Sequence, residues 1–221
     1  MIQLGLSGGT NRELRLLFLG AHSDDIEIGC GGTILRLAKE YPKSIFDWVV
    51  FSATGARQAE AEHSAKLFVH PPQLREPILK PFPDGFMPYV GGEVKAVFEE
   101  LKRTVSPDVV FTHNHKDAHQ DHRLIAELTW NTFRDHLILE YEIPKYDGDM
   151  GQPNFFVPLE KEMYDDKIRF LMEAFSTQRS KRWFDPQTFL GLMRLRGMEC
   201  NAPSGFAEAF YCRKVVIGNE V

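Results

Sequence analysis

The sequence predicts an α/β fold, a single domain built on a mostly parallel sheet with helices on both faces, and three observations predict it. Short apolar runs alternate with segments whose apolar residues recur at helical spacing. The polar residues able to do chemistry cluster just after apolar runs, where open parallel sheets place their ligands. Finally, 43% hydrophobic residues over 221 positions suffice for one sizeable core.

Residues 15–20 form the first expected strand, an apolar run with no polar face, as in strands buried on both sides. The polar, glycine-rich stretch behind it reads as a loop. Residues 32–40 read as a helix, because Ile34, Leu35 and Ala38 fall at helical spacing. The pattern repeats with a strand at 48–53 and a helix at 56–69, which carries Ala61, Ala65 and Phe68 on one face. Prolines break regularity over 71–88. A helix at 93–104 presents Val94, Val97, Phe98 and Leu101, and Pro107 introduces a strand at 108–112. A histidine-rich loop, a helix at about 122–134 and a strand at 137–143 follow. Residues 145–158 are rich in Gly, Pro, Asp and Asn and read as a long loop, in the manner of a lid or substrate rim. Helices at 161–178 and 186–196 lead to a last strand at 209–217. No internal repeat or low-complexity segment interrupts this order. Residues 1–12 read as a leader and 13–221 as the domain.

A formal net charge of -5 gives no global attraction to nucleic acid or an anionic membrane, so neither is an expected partner. The N-terminal residues lack a signal-peptide pattern, and no apolar run reaches the ~18 residues of a membrane span. The cytoplasm is therefore the expected compartment. Cys30, Cys200 and Cys212 form no CxxC pair, which argues against a disulfide framework or a thiolate zinc site.

Two motifs carry the chemistry. The first, LLFLGAHSDDIEIGCGG, places His22, Asp24 and Asp25 directly behind the first strand. The second, HNHKDAHQDH, places four histidines and two aspartates behind the strand at 108–112. In a sheet that winds outward both ways from its first strand, these two strands are neighbours and their loops meet at one crevice. Clustered carboxylates and imidazoles need a partner, and a divalent cation between the loops supplies one. Neutral imidazole with carboxylate suits zinc, while iron also uses two histidines and a carboxylate.

His22-Ser23-Asp24-Asp25, Ile26-Glu27-Ile28-Gly29-Cys30-Gly31-Gly32-Thr33 and His119-Gln120-Asp121-His122 together resemble the LmbE-like (PIG-L) metal-dependent N-deacetylases. Arg57, Glu60, Asp84-Gly85 and Ala207-Glu208-Ala209-Phe210 extend the likeness over almost the whole chain. The resemblance implies a Rossmann-like three-layer fold. It further implies one zinc ion on His22, Asp25 and His122, with Asp24 as general base. His119 would steady the oxyanion or protonate the leaving amine, and Asp121 would orient His119. Arg57 and Glu208 become candidate substrate contacts. The implied reaction removes the acetyl group from an N-acetylglucosamine-type amino sugar or its small-molecule conjugate. Ser23 stands where the family usually has proline, and a local hydroxyl hydrogen bond is expected to keep the turn.

Each of these residues also has an ordinary reading. The two aspartates could simply cap a helix. The glycines could cradle a dinucleotide, although adjacent carboxylates would repel a pyrophosphate. His113 and His115 are expected to satisfy loop hydrogen bonds, and Asp117 reads equally as a ligand-orienting or a turn residue. Glu208 could be an exposed strand-edge acid, and Arg57 a solvated helix start. The competing functions are cleavage of a different amide in a sugar conjugate and a non-catalytic carbohydrate- or nucleotide-binding module. The sequence sets neither the exact conjugate nor the oligomeric state, and a homo-oligomer remains compatible with it.

Overall fold

The computed structural model describes residues 5–6 and 12–216. Most of the expected leader, and the end of the expected last strand, lie outside the described residues. β1 (Arg15–His22), α1 (Asp25–Glu40), β2 (Ile45–Ser52), α2 (Ala56–Phe68) and β3 (Ile78–Leu79) build the first half. A 3₁₀ turn (Met87–Val90), α3 (Gly91–Thr104), β4 (Val109–His113), α4 (Gln120–Thr132) and β5 (Leu137–Tyr141) follow. β6 (Phe155–Pro158), α5 (Lys161–Ala174), a second 3₁₀ turn (Ser176–Gln178), α6 (Pro186–Glu199) and β7 (Ala207–Cys212) complete the described chain. One seven-stranded sheet has the order β3-β2-β1-β4-β5-β7-β6. β1 to β5 run parallel, and β7 lies antiparallel to both β5 and β6. No helix among the described residues is long and apolar enough to cross a membrane.

The two-residue period of β1 sends Leu16 and Phe18 to one face and Leu17 and Leu19 to the other, and both faces are fully buried. On the first face Phe18 stacks on Phe46 of β2 at 5.7 Å and on Phe111 of β4 at 4.6 Å, in a core shared with α1, α2 and α5. On the second, Leu17, Leu19 and Val110 pack with Val94, Phe98 and Leu101 of α3 and Ile125 of α4. β1 thus pairs with both β2 and β4, and the chain leaves it in opposite directions. The crevice expected behind β1 and β4 is where the fold places its switch of strand order.

β3 forms inside the stretch 71–88 expected to be irregular, β7 ends at Cys212, and two further segments depart most from expectation. The glycine-rich stretch is not a loop but part of α1, which starts at Asp25 and kinks at Cys30 (φ -146°, ψ 20°). Its glycines serve close packing: a Cβ on Gly29 would meet the Tyr141 ring at 2.3 Å, and one on Gly32 would meet Leu159 at 2.5 Å. The kink frees backbone groups that a straight helix would pair with one another. Glu208 takes the Gly32 and Thr33 N–H groups at 2.8 and 2.6 Å, and Lys167 donates to the Ile28 carbonyl at 2.7 Å. Lys167 and Glu208 also pair directly at 2.6 Å, both buried. The second departure is the loop at 145–158, whose last four residues form β6 at the sheet edge. Proline there is tolerated because an edge strand has one unpaired side.

Candidate metal centre

The ends of β1 and β4 deliver the site. His22 is the last residue of β1, and its backbone N–H donates to Asp25 Oδ2 at 2.6 Å, which folds the first turn of α1 back onto the strand. α4 begins immediately behind the histidine loop, with His119 as its N-cap and His122 in its first turn. Ser23 is fully buried, and its hydroxyl reaches the Ser52 carbonyl of β2 at 3.5 Å. It ties the turn to the neighbouring strand and not, as expected, to its own backbone.

His22 Nδ1 lies 3.2 Å from His122 Nε2 and 3.2 Å from Asp25 Oδ2, while His122 Nε2 lies 3.5 Å from Asp25 Oδ1. Tetrahedral zinc with N/O bonds near 2.0–2.1 Å separates its ligand atoms by about 3.3–3.4 Å. The three spacings, which use Asp25 Oδ2 toward His22 and Oδ1 toward His122, make a donor triangle close to that size. Each histidine also turns its other ring nitrogen to a carboxylate. His122 Nδ1 is 2.9 Å from Asp117 Oδ2, and His22 Nε2 is 3.0 Å from Asp84 Oδ1 and 3.3 Å from Asp121 Oδ2. Such pairs fix the tautomer and orientation of metal-binding histidines.

The charge states follow from burial and neighbours. Burial, reinforced by His113, holds His122 below its ordinary value and so neutral at pH 7. Burial works to raise Asp25 and Asp117, but the imidazoles around each more than reverse it, and both stay well below the usual carboxylate range. His22 is raised despite its burial by Asp25, Asp121 and Asp84. His113 is fully buried, stacks on His122 at 3.9 Å and accepts the Ala21 N–H at 2.9 Å. His115 bonds Glu140 of β5 through its backbone and its ring.

Asp24, at the N-cap position of α1 but with no capping bond from its side chain, faces α2: Arg57 Nη2 donates to its Oδ1 at 2.5 Å. The other guanidinium nitrogen, Nη1, lies 3.3 Å from both Glu60 and Thr177, and Glu60 accepts further bonds from Ser176 and Thr177. Arg57 is therefore at the site, turned inward onto Asp24 and not outward to solvent. His119 packs its ring edge-on against His22 at 4.9 Å and lies 4.6 Å from His122. Its Nδ1 accepts the Asp121 N–H at 3.2 Å, which leaves the ring proton of the neutral form on Nε2.

Two expected roles meet different surroundings. The Asp121 carboxylate does not reach the His119 ring. It accepts the Gly85 and Met87 N–H groups at 2.7 and 3.1 Å and approaches His22, because the first turn of α4 aims it at the 84–87 segment. Glu208, expected as a substrate contact, has both its oxygens engaged inside the kink of α1. Sequence reasoning left Asp117 unassigned and missed Lys145, which bridges Asp117 at 3.0 Å and Asp149 at 2.6 Å. That bridge fastens the 145–158 segment to the histidine loop.

A family model described as GlcNAc-PI de-N-acetylase (PIG-L) matches residues 17–133, more than half of the chain. The uncharacterized deacetylase YaiS of Escherichia coli K12 is 26% identical over 185 residues, covering 77% of this chain and 96% of that protein. Two solved structures, both under 25% identical, share the fold. The N,N'-diacetylchitobiose deacetylase of Pyrococcus horikoshii superimposes with a TM-score of 0.65 at 19% identity, covering 90% of this chain and 83% of its own. The 4-carboxy-2-hydroxymuconate hydratase GalB of Pseudomonas putida KT2440 gives 0.73 at 16% identity, covering 94% and 99%.

Proposed function

Because the chain belongs to the PIG-L family of de-N-acetylases, we propose that it is a zinc-dependent hydrolase that removes the acetyl group from an N-acetylglucosamine-type amino sugar or its conjugate. The observation that carries this reading is the donor triangle of His22, Asp25 and His122, each histidine backed by a carboxylate, with Asp24 next to Asp25 in the sequence. His22, Asp25 and His122 would hold the ion. Zinc in such a site lowers the pKa of a water molecule toward ~7 and polarises a carbonyl. Two histidines and a carboxylate also accept iron, so metal analysis decides the native ion.

The chain's own residues account for the proton transfers. Asp24, the residue before the ligand Asp25, accepts the proton of the attacking water on a carboxylate oxygen and returns it to the departing amine nitrogen. Arg57 keeps that carboxylate in one orientation, with Glu60 bracing Arg57 from behind. His119 donates Nε2–H to the carbonyl oxygen as negative charge develops there. Burial and the neighbouring imidazoles hold His119 below its ordinary value, which favours this hydrogen-bonding role over that of a protonated acid for the leaving group. The 145–158 segment, fastened at Lys145, would select the rest of the substrate.

A hydratase on the same fold marks the competing chemistry, addition of water to a carbon–carbon double bond. Acetate release from free, nucleotide-linked, thiol-linked and lipid-linked N-acetylglucosamine, with metal content measured on the same sample, separates the readings. Stoichiometric acetate and amine from at least one conjugate is expected. A metal-loaded protein that releases acetate from none, while hydrating an unsaturated acid, would overturn the proposal.

A further inference from the structure

The three large aromatic side chains exposed among the described residues, Phe86, Tyr89 and Tyr146, all lie on the two segments that border the metal centre. Single exposed apolar groups need no explanation, but a set confined to one place does. The first segment, residues 84–90, is tied to the start of α4. Its Gly85 and Met87 N–H groups bind Asp121, Gln120 donates to the Gly85 carbonyl at 3.0 Å, and Asp84 reaches His22 at 3.0 Å. Phe86, 60% exposed, sits between the two anchored residues, and its ring lies 5.9 Å from that of Tyr89, which is 82% exposed. The second segment is tied to the histidine loop just before His119. Lys145 binds Asp117, and Asp149 accepts the Ala118 N–H at 2.7 Å. Arg196 holds the Gly151 carbonyl at 3.0 Å, so Tyr146, 73% exposed, is carried by a stretch fastened at both ends. In the chain His119 lies between the two points of attachment.

Covering such rings is favourable, and on anchored backbone only two side-chain torsions per ring remain to be fixed. Flat aromatic faces gain more from another ring than the covered area alone supplies. The occupant follows from the reaction. An acetyl group ends in a methyl, so everything beyond the amide lies on the amine side. A molecule whose amide reaches the donor triangle lays that remainder against the segments that border it.

We propose that Phe86, Tyr89 and Tyr146 form a subsite for a ring with a flat apolar face, borne by the part of the substrate that stays with the amine. The proposal rests on the deacetylase reading and names what that reading leaves open: the preferred substrate is a ring-bearing conjugate and not the free sugar. The donor triangle acts on the amide, and these three side chains choose its bearer.

The test is calorimetric binding of the phenyl and methyl β-glycosides of glucosamine to the zinc-loaded protein. Both are amine products with no amide to cleave. Wild type is expected to bind the phenyl glycoside about tenfold or more tightly than the methyl one, as stacking on more than one ring requires. Phe86→Ala, Tyr89→Ala and Tyr146→Ala should each lower that preference by about two- to tenfold. Leu195→Ala, which removes a 55% exposed apolar side chain from α6, should leave it unchanged. Equal affinities in wild type, a preference that survives all three ring substitutions, or one lost to the same extent in Leu195→Ala overturns the subsite. Acetate release from the two N-acetylated glycosides is measured alongside. Acetate without a phenyl preference overturns the subsite and leaves the deacetylase reading standing. A ring-dependent preference without acetate from either glycoside upholds the subsite and overturns that reading.

Discussion

Asp117 joins three parts of the site: its carboxylate meets His122 Nδ1, the His119 N–H and Lys145. A carboxylate behind a metal-binding imidazole raises its basicity and fixes its ring, and losing it typically costs 10–100-fold in metal affinity. Asp117→Asn keeps the shape but removes the charge. Its zinc affinity should fall by about 10–100-fold with the fold intact, as read by competition with a chelator; unchanged affinity would leave Asp117 a turn residue only. The residue pattern pointed to a divalent metal between the two loops, because adjacent acids behind one strand and clustered histidines behind another suit few other purposes, and the family resemblance implied His22, Asp25 and His122 as its ligands. It could not place Asp117 or Asp121. Which way a carboxylate points in a tight loop depends on segments distant in sequence, here residues 84–87 and 145–149.

Among the elements, α1 departs most from the sequence reading. Glycines usually signal a loop, yet here they let the Tyr141 ring, Phe68 and Leu159 approach a helix, and long-range packing of that kind leaves no local trace. The ion pair in the kink was hidden for the same reason: Lys167 and Glu208 come from α5 and β7. Removing one member strands the other as a buried charge. Lys167→Met should therefore cost about 3–5 kcal/mol of stability in urea unfolding. The double variant Lys167→Met/Glu208→Gln should cost less than the sum of the two single changes. Strict additivity would mean that the pair does not act as a unit. By contrast, α3 and β4 were legible almost to the residue, because their apolar patterns match their own geometry.

For the whole molecule, the meeting of the loops behind β1 and β4 at the switch point followed from the alternation of strands and helices, whereas β3 formed inside a stretch, 71–88, that reads as irregular. The antiparallel β6-β7 edge did not follow from it either, since a four-residue strand flanked by Gly and Pro resembles a loop. One global property rests on Glu27, fully buried beside the site, with neither carboxylate oxygen partnered among the described residues. Burial pushes its carboxyl up to about 8. An unfolded glutamate titrates near ~4.3, so between these values the native state binds the proton more strongly. The stability gained is complete below the unfolded value and is lost as pH rises through the folded one. In protein stripped of metal, Glu27→Gln should match wild type near pH 4 and exceed it by on the order of a few kcal/mol at pH 8. Parallel stability curves for the two proteins would contradict this.

The account as a whole requires that two adjacent aspartates fail differently. Zinc content and acetate release measured together on Asp24→Asn and Asp25→Asn test this most directly. Asp25→Asn should lose zinc. Asp24→Asn should keep its zinc and fold while turnover falls by a factor of about 100 to 10,000, the usual share of general-base catalysis. A zinc-loaded Asp24→Asn protein that turns over like wild type, or equal zinc loss in both variants, would contradict the account.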